Sequence, residues 1–256
     1  MNAQQLMERL FALAGQRIED TVDTCKAGDP AKEVQKVALC CIASPSILRQ
    51  AHAWGADLLI THEPTYHDNF DRLHADDLVA TEKRRLVEAT GMTIYRYHDH
   101  AHAALPDVIA MGELEELGWD KEEFDGQLLL TLHQPRPVRE LAREIGERLG
   151  IAQVRLAGHP ETTVKTAVLG FGARNMLELM NQQEADLYIS GELCEWNACE
   201  YIRDAAELGH RKALLVLGHI SSEKAGMKYA QKLVQRIAPG IETRYFDNPD
   251  VFTYIE

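Results

Sequence analysis

Residues 56–63 read ADLLITHE, and residues 185–192 read ADLYISGE. Five of the eight positions are identical, and Thr61 is matched by Ser190. Each segment carries a short apolar run of the kind that forms a buried strand, and each ends on a glutamate. In both halves a helical pattern and a further strand follow. Those later strands, residues 92–97 and 213–218, run into a second matched pair: His98 with His102, and His219 with Glu223. Both pairs have i, i+4 spacing, which sets two side chains on one face of a helix. Two matches in the same order predict two related α/β lobes.

Strand and helix patterns alternate outward from these segments. Strands are expected at 37–42, 57–60, 92–95, 127–132, 153–156, 164–169, 186–189, 213–217 and near 241–245. Helices are expected over 45–54, 74–90, 105–117, 138–149, 175–182, 195–208 and 222–237. Residues 133–137, HQPRP, read as a turn leading into the helix at 138. The alternation predicts an α/β fold of two similar lobes, with mixed sheets covered by helices. The expected boundaries are an N-terminal lobe at 1–124, a small connecting α/β segment at 125–160 and a C-terminal lobe at 161–256.

Composition narrows the class. The chain has 256 residues, 45% hydrophobic and 26% charged, a globular balance. Lys plus Arg number 27 against 40 Asp plus Glu, a formal net charge of −13, which disfavours a nucleic-acid partner. The first fifteen residues space their leucines as an amphipathic helix and lack the basic leader of a signal peptide. No apolar run approaches the ~20 residues that span a bilayer. The five cysteines form no CxxC pair, and Cys40 and Cys41 sit in an apolar strand as buried thiols. A cytoplasmic protein is expected.

Open α/β sheets bind ligands beyond the carboxyl ends of their strands. Three such ends carry polar clusters: Thr61-His62-Glu63-Pro64, the run from His98 to His102, and the run from Gly218 to Glu223. Imidazoles mixed with carboxylates suit zinc, iron or manganese better than calcium or magnesium. Each cluster alone has a plainer reading as a cap or a surface hydrogen-bond pair. Their coincidence at three strand ends of two repeated lobes points to a metal. His52, His67, His74, His133, His159 and His210 show no converging pattern. Cys194 and Cys199 lie among acidic neighbours that discourage a reactive thiolate. There is no GxSxG elbow, no GxxxxGK[ST] loop, and Gly170-Phe171-Gly172 is too short for a dinucleotide fingerprint, although it could border the cleft.

On residues 55–64, 187–192 and 218–223 the chain resembles the Nif-three-like family, often labelled type 2 GTP cyclohydrolase I and including YbgI-like bacterial proteins. The resemblance covers nearly the whole chain. It implies two divalent metal ions between the lobes, a toroidal homohexamer and a small-molecule substrate. His62 matches the first histidine of the family's His-His pair, and Glu63 replaces the second. His102 stands at the place of the family's middle aspartate, with His98 matching the histidine before it. His219 and Glu223 match unchanged. The resemblance then implies one ion on His62, His102 and Glu223 and another on Glu63, His219 and Glu223, with Glu223 the bridging, catalytic carboxylate. Asp99 or His100 are alternatives to His102, and Glu192 a neighbouring contact. The two exchanges cancel in charge, leaving three imidazoles and two carboxylates. Metal-dependent hydrolysis of a small, possibly nucleotide or phosphate-bearing substrate is the implied activity. The competing reading is a metal-binding regulatory or interaction protein without turnover.

Overall fold

Each copy of the repeated segment becomes the middle strand of a parallel trio in the computed structural model, which describes residues 1–74 and 76–255. The chain begins with helix α1 (Ala3–Phe11), closed at its start by a reciprocal bond pair between Asn2 and Gln5. Strands β1 (Cys25–Ala27) and β2 (Lys36–Cys40) follow. Helix α2 (Pro45–Trp54) is capped by Ser44, has proline in its first turn, and stops at Gly55, whose φ of 83° suits a residue without Cβ. Next come β3 (Leu58–Thr61), α3 (Leu78–Thr90), β4 (Thr93–Arg96) and the short α4 (Asp99–Ala103). The Asp77 carboxylate accepts from Ala80 N, so α3 starts at Leu78 and not at 74 as its charge pattern predicts.

The chain continues with α5 (Val108–Leu117), β5 (Glu123–Phe124), β6 (Leu129–Pro137) and α6 (Val138–Leu149). Then come β7 (Arg155–Gly158), β8 (Thr163–Gly170), α7 (Met176–Gln182) and β9 (Leu187–Ser190). A π-helical turn at Glu195–Cys199 leads into α8 (Glu200–Glu207), where the sequence predicts one uninterrupted helix. After β10 (Ala213–Val216) and a 3-10 turn at Ile220–Ser222, the chain ends its regular structure with α9 (Lys224–Ile237) and β11 (Glu242–Tyr245).

Two sheets result. One has the order β1-β4-β3-β2-β11, with four parallel strands and β1 antiparallel at its edge. The other runs β5-β6-β8-β9-β10-β7, with β8, β9 and β10 parallel and the remaining strands antiparallel. Every residue of β3, β4, β9 and β10 is buried, as strands covered on both faces must be.

The repeat is visible bond by bond. The Asp57 carboxylate accepts from the backbone N–H groups of Gln35 (2.9 Å) and Lys36 (3.1 Å), tying β3 to the start of β2. Asp186 does the same for Lys165 (2.9 Å) and Thr166 (3.2 Å) at the start of β8. At the other end of each strand, the hydroxyls of Thr61 and Ser190 donate to the carbonyls of Glu63 and Glu192, both at 3.1 Å.

Two compact units emerge: residues 1–109 with 226–249, and residues 110–225 with those from 250 on. This division differs from expected boundaries at 124 and 160. The stretch 125–160 is no separate appendage, because β6 and β7 are strands of the six-stranded sheet. Nor does the last strand stay with the second half: β11 pairs with β2. The supposed turn at 133–137 is strand too, its Arg136 and Pro137 opposite Val164 and Thr163 beyond a break in register. Proline is tolerated there because β5 reaches only as far as Thr131, so Pro137 has a ladder partner on one side alone. No helix among the described residues is long and apolar enough to cross a membrane.

Candidate metal centre

In the first unit the carboxyl ends of β3 and β4 lie side by side, and parallel pairing sets Thr61 opposite Arg96. The next residues therefore emerge together. His62 follows β3, His98 follows β4, and His102 comes from the following turn of α4. Ring centroids are 4.7 Å apart for His62 and His98, 5.1 Å for His62 and His102, and 5.0 Å for His98 and His102. One ring nitrogen from each lies within 4.8 Å of the other two.

The tautomers follow from what faces each Nδ1. That of His62 lies 2.9 Å from the carbonyl of Tyr97, that of His98 2.9 Å from an Asp99 carboxylate oxygen, and that of His102 3.0 Å from Asp107. Carbonyls and carboxylates only accept, so each Nδ1 carries the proton and each Nε2 the lone pair. This is the arrangement by which outer groups orient metal-binding imidazoles. Burial pushes His98 below the usual imidazole range, outweighing the upward pull of Asp99, and His62 and His102 add to the depression. The hydrogen bond from His98 holds the Asp99 carboxyl well below the ordinary carboxylate range.

Residues distant in sequence brace this trio. His98 caps α4 without a side-chain bond of its own, and Asp23 does that work from another loop. The buried Asp23 carboxylate accepts from the backbone N–H of His98 (2.6 Å) and of His100 (2.8 Å), and from His100 Nδ1 (2.8 Å). The His100 ring also stacks on Phe11, with centroids 4.4 Å apart. His100 and Asp99 are thus engaged as braces, and Asp99 further accepts from Thr21 and Val22. Arg96, 1% exposed, donates from Nε to the His62 carbonyl (3.0 Å) and from Nη1 to the Asn69 carbonyl (2.6 Å). Its Nη2 stands 3.9 Å from Glu63 Oε2.

The second unit presents a smaller set at the carboxyl ends of β8, β9 and β10. His219 Nε2 lies 3.2 Å from Glu223 Oε2, and its Nδ1 lies 3.1 Å from Glu192 Oε1. An imidazole nitrogen and a carboxylate oxygen at such separation can share a proton, and both atoms are of the kinds that ligate transition metals. Glu223 is only 2% exposed, so its charge is screened little by water. Gly172 lies against that carboxylate with φ +68°, and a Cβ there would collide with it. Ser222 Oγ accepts from Gly172 N (3.0 Å) and donates to the His219 carbonyl (2.8 Å), closing the cradle. Gly191 occupies the place that His62 has in the first repeat. A Cβ on it would strike the Gly172 carbonyl and Ser222 Oγ, so the histidine cannot be repeated there.

His62, Glu63 and His102 accordingly lie in the first unit, joined by His98, to which sequence reasoning gives no ligand role. His219 and Glu223 lie together in the second, with Glu192 beside them. The signal for His98 was the same i, i+4 spacing that marks His219 and Glu223. Nothing in sequence marks Asp23, Arg96 or Asp107 as braces. Three imidazoles with a ring nitrogen of each within 4.8 Å of the others, and in the second unit a buried carboxylate paired to another imidazole, are donor types that suit zinc, iron or manganese. The thiols fit none of this. Burial and the Glu195 charge push Cys199 up, and Cys25, Cys40 and Cys41 are at least half-buried and in no disulfide.

Similarity to known proteins agrees with this architecture. Proteins named GTP cyclohydrolase 1 type 2 homolog from Clostridium perfringens and Pyrococcus abyssi are 24% and 25% identical. They cover 84% and 85% of this chain and 84% and 86% of their own lengths. A solved Bacillus cereus protein related to NIF3 shares the fold with a TM-score of 0.80 at 12% identity, covering 100% of this chain and 99% of its own. A Staphylococcus aureus protein superposes with a TM-score of 0.77 at 17% identity, over 100% and 99% of the two chains. Residues 1–249 match the sequence profile of Duf34/NIF3 (NGG1p interacting factor 3), and a match of that extent means that the chain belongs to the Duf34/NIF3 family.

Proposed function

We propose that this chain is a metal-dependent hydrolase with a dinuclear centre, to which both repeats contribute. His62, His98 and His102 would hold one ion, and Glu63 and His219 the other, with the Glu223 carboxylate shared between them. The observation that carries this reading is the trio of imidazoles whose Nδ1 atoms are all tied to acceptors. A purely structural histidine cluster has no need to bring a ring nitrogen from each of three residues within 4.8 Å of the others.

Two adjacent divalent ions lower the pKa of a bound water and polarise a substrate oxygen. The chain's own residues do the rest. Asp107, Asp99 and the Tyr97 carbonyl hold the Nδ1 atoms and so keep the imidazoles aimed. Glu192, 60% exposed at its side chain and next to His219, is placed to take a proton from solvent-side chemistry. The acidic, buried Glu223 supplies the negative charge that offsets the metal.

The substrate is proposed to be small, with nucleotides and phosphoesters the first to assay, since the relatives named above carry the GTP cyclohydrolase label. Free thiols throughout the described residues favour a reducing, cytoplasmic setting. A ring of six chains is the proposed assembly, and a monomer by light scattering at micromolar concentration would reject it. The deciding experiment pairs elemental analysis with hydrolysis assays. Turnover that tracks metal content and vanishes in His219→Ala and Glu223→Ala supports the enzyme. Full metal loading with no turnover of GTP or of any phosphoester would replace it with a metal-binding protein.

A further inference from the structure

A cavity of about 240 Å³ opens at the carboxyl end of β10, against the residue that precedes His219. Its floor is Val216, Leu217 and Gly218, and its walls include Gln153 and Arg155 from the start of β7. The remaining wall is Asp250, Phe252 and Tyr254. These three alternate along the terminal segment, as residues on one face of an extended chain do. Residues 251–255 are all exposed, with Tyr254 (39%) and Phe252 (68%) less so than Val251 (80%) and Ile255 (89%).

The alternation is pinned by Asp250. Its Oδ1 accepts from Phe252 N (2.9 Å), and its Oδ2 accepts from the Tyr254 hydroxyl (3.3 Å). One carboxylate thus ties the Phe252 backbone and the Tyr254 ring to the start of the segment. Arg155 is likewise held, through an ion pair with Glu195.

We infer that this cavity is a binding site for a planar heteroaromatic ring, with Phe252 and Tyr254 as its stacking surfaces. Two aromatic rings and two aliphatic side chains remove a flat apolar body from water, and every such body offers a π-face. Gln153 supplies an amide donor and acceptor for ring heteroatoms, and Arg155 a guanidinium that favours an anionic substituent. The volume lies below the ~300–1,000 Å³ of sites for drug-sized ligands, so it admits the ring and leaves larger substituents outside. The pocket stands on its own geometry. That its occupant is the substrate, with the ring presented next to His219, rests on the preceding proposal.

The test uses the full-length protein and three probes: adenosine 5′-monophosphate, nicotinate and quinoline-2-carboxylate. Ribose 5-phosphate and cyclohexanecarboxylate are the controls without an aromatic ring. Saturation-transfer NMR should show transfer to the ring protons of at least one probe and to neither control. The Phe252→Ala/Tyr254→Ala variant should weaken that binding about tenfold or more while keeping its metal content and its mass by light scattering. Tyr254→Phe should retain most of it. Transfer to none of the three, or transfer unchanged in the double variant, would overturn the pocket. A double variant that changes its oligomeric state would assign the two rings to a contact between copies instead, and would also overturn it. Loss of ring binding with metal and turnover intact would leave the metal centre standing, so the two proposals fail separately.

Discussion

At the scale of single residues, the candidate centre depends on groups that never touch a metal. Asp107 holds His102 Nδ1 with one carboxylate oxygen and accepts from Ile109 N (2.8 Å) with the other, so it also starts α5. Asp107→Asn keeps the shape and removes the charge. It should lower metal affinity about 10–100-fold, measured by competition with a chelator, and an unchanged affinity would mean that His102 is not a ligand. Burial likewise decides which thiol reacts. The Cys40 thiol is pushed up to about 12, chiefly by desolvation. Raising a thiol's pKa shrinks its thiolate share, here to the order of 10⁻⁴ at pH 8. Iodoacetamide at that pH should label the exposed Cys194 and leave Cys40 unmodified in the folded protein, with peptide mass spectrometry as the check. Several of these residues were legible in sequence: His62, His102, His219 and Glu223 stand at strand ends with regular spacing. Asp23, Arg96 and Asp107 were not, because a brace is defined by what it meets in space, and each meets its partner through backbone geometry that no local pattern encodes.

Among elements, the repeat is the organising device. Asp57 and Asp186 each fasten a middle strand to its neighbour through two backbone N–H groups. Asp57→Ala and Asp186→Ala each remove those bonds at sites that water reaches, so each should destabilise its own unit by about 0.5–1.5 kcal/mol per bond lost. Urea unfolding followed by hydrogen exchange should show protection lost in β2 and β3 for the first variant and in β8 and β9 for the second. A loss spread equally over both sheets would contradict the assignment. This repeat was readable from ADLLITHE and ADLYISGE alone, because buried parallel strands need apolar runs and their ends need fixed polar ties. The boundaries of the units were not. Strand β11 has the same composition whether it joins the second sheet or returns to β2, and only its pairing with β2 assigns it. The strand at Arg136 and Pro137 was hidden by two prolines, which an incompletely paired stretch tolerates. The break of the helix expected at 195–208 into a π-turn and α8 also left no mark, since the apolar period continues across it.

For the whole molecule, membership in the Duf34/NIF3 family and the two-sheet architecture agree with each other. The acidic chain, with its formal charge of −13, sets carboxylates beside imidazoles in both units. The claim on which the functional account turns is that the two imidazole–carboxylate sets serve a single centre. Manganese(II) loading with electron paramagnetic resonance tests it most directly, because two ions ~3.5–4 Å apart couple their spins. The account predicts two ions per chain and an exchange-coupled spectrum, with coupling lost in both His62→Ala and His219→Ala although the substitutions lie in different units. Two uncoupled ions, or coupling that survives either substitution, would contradict it.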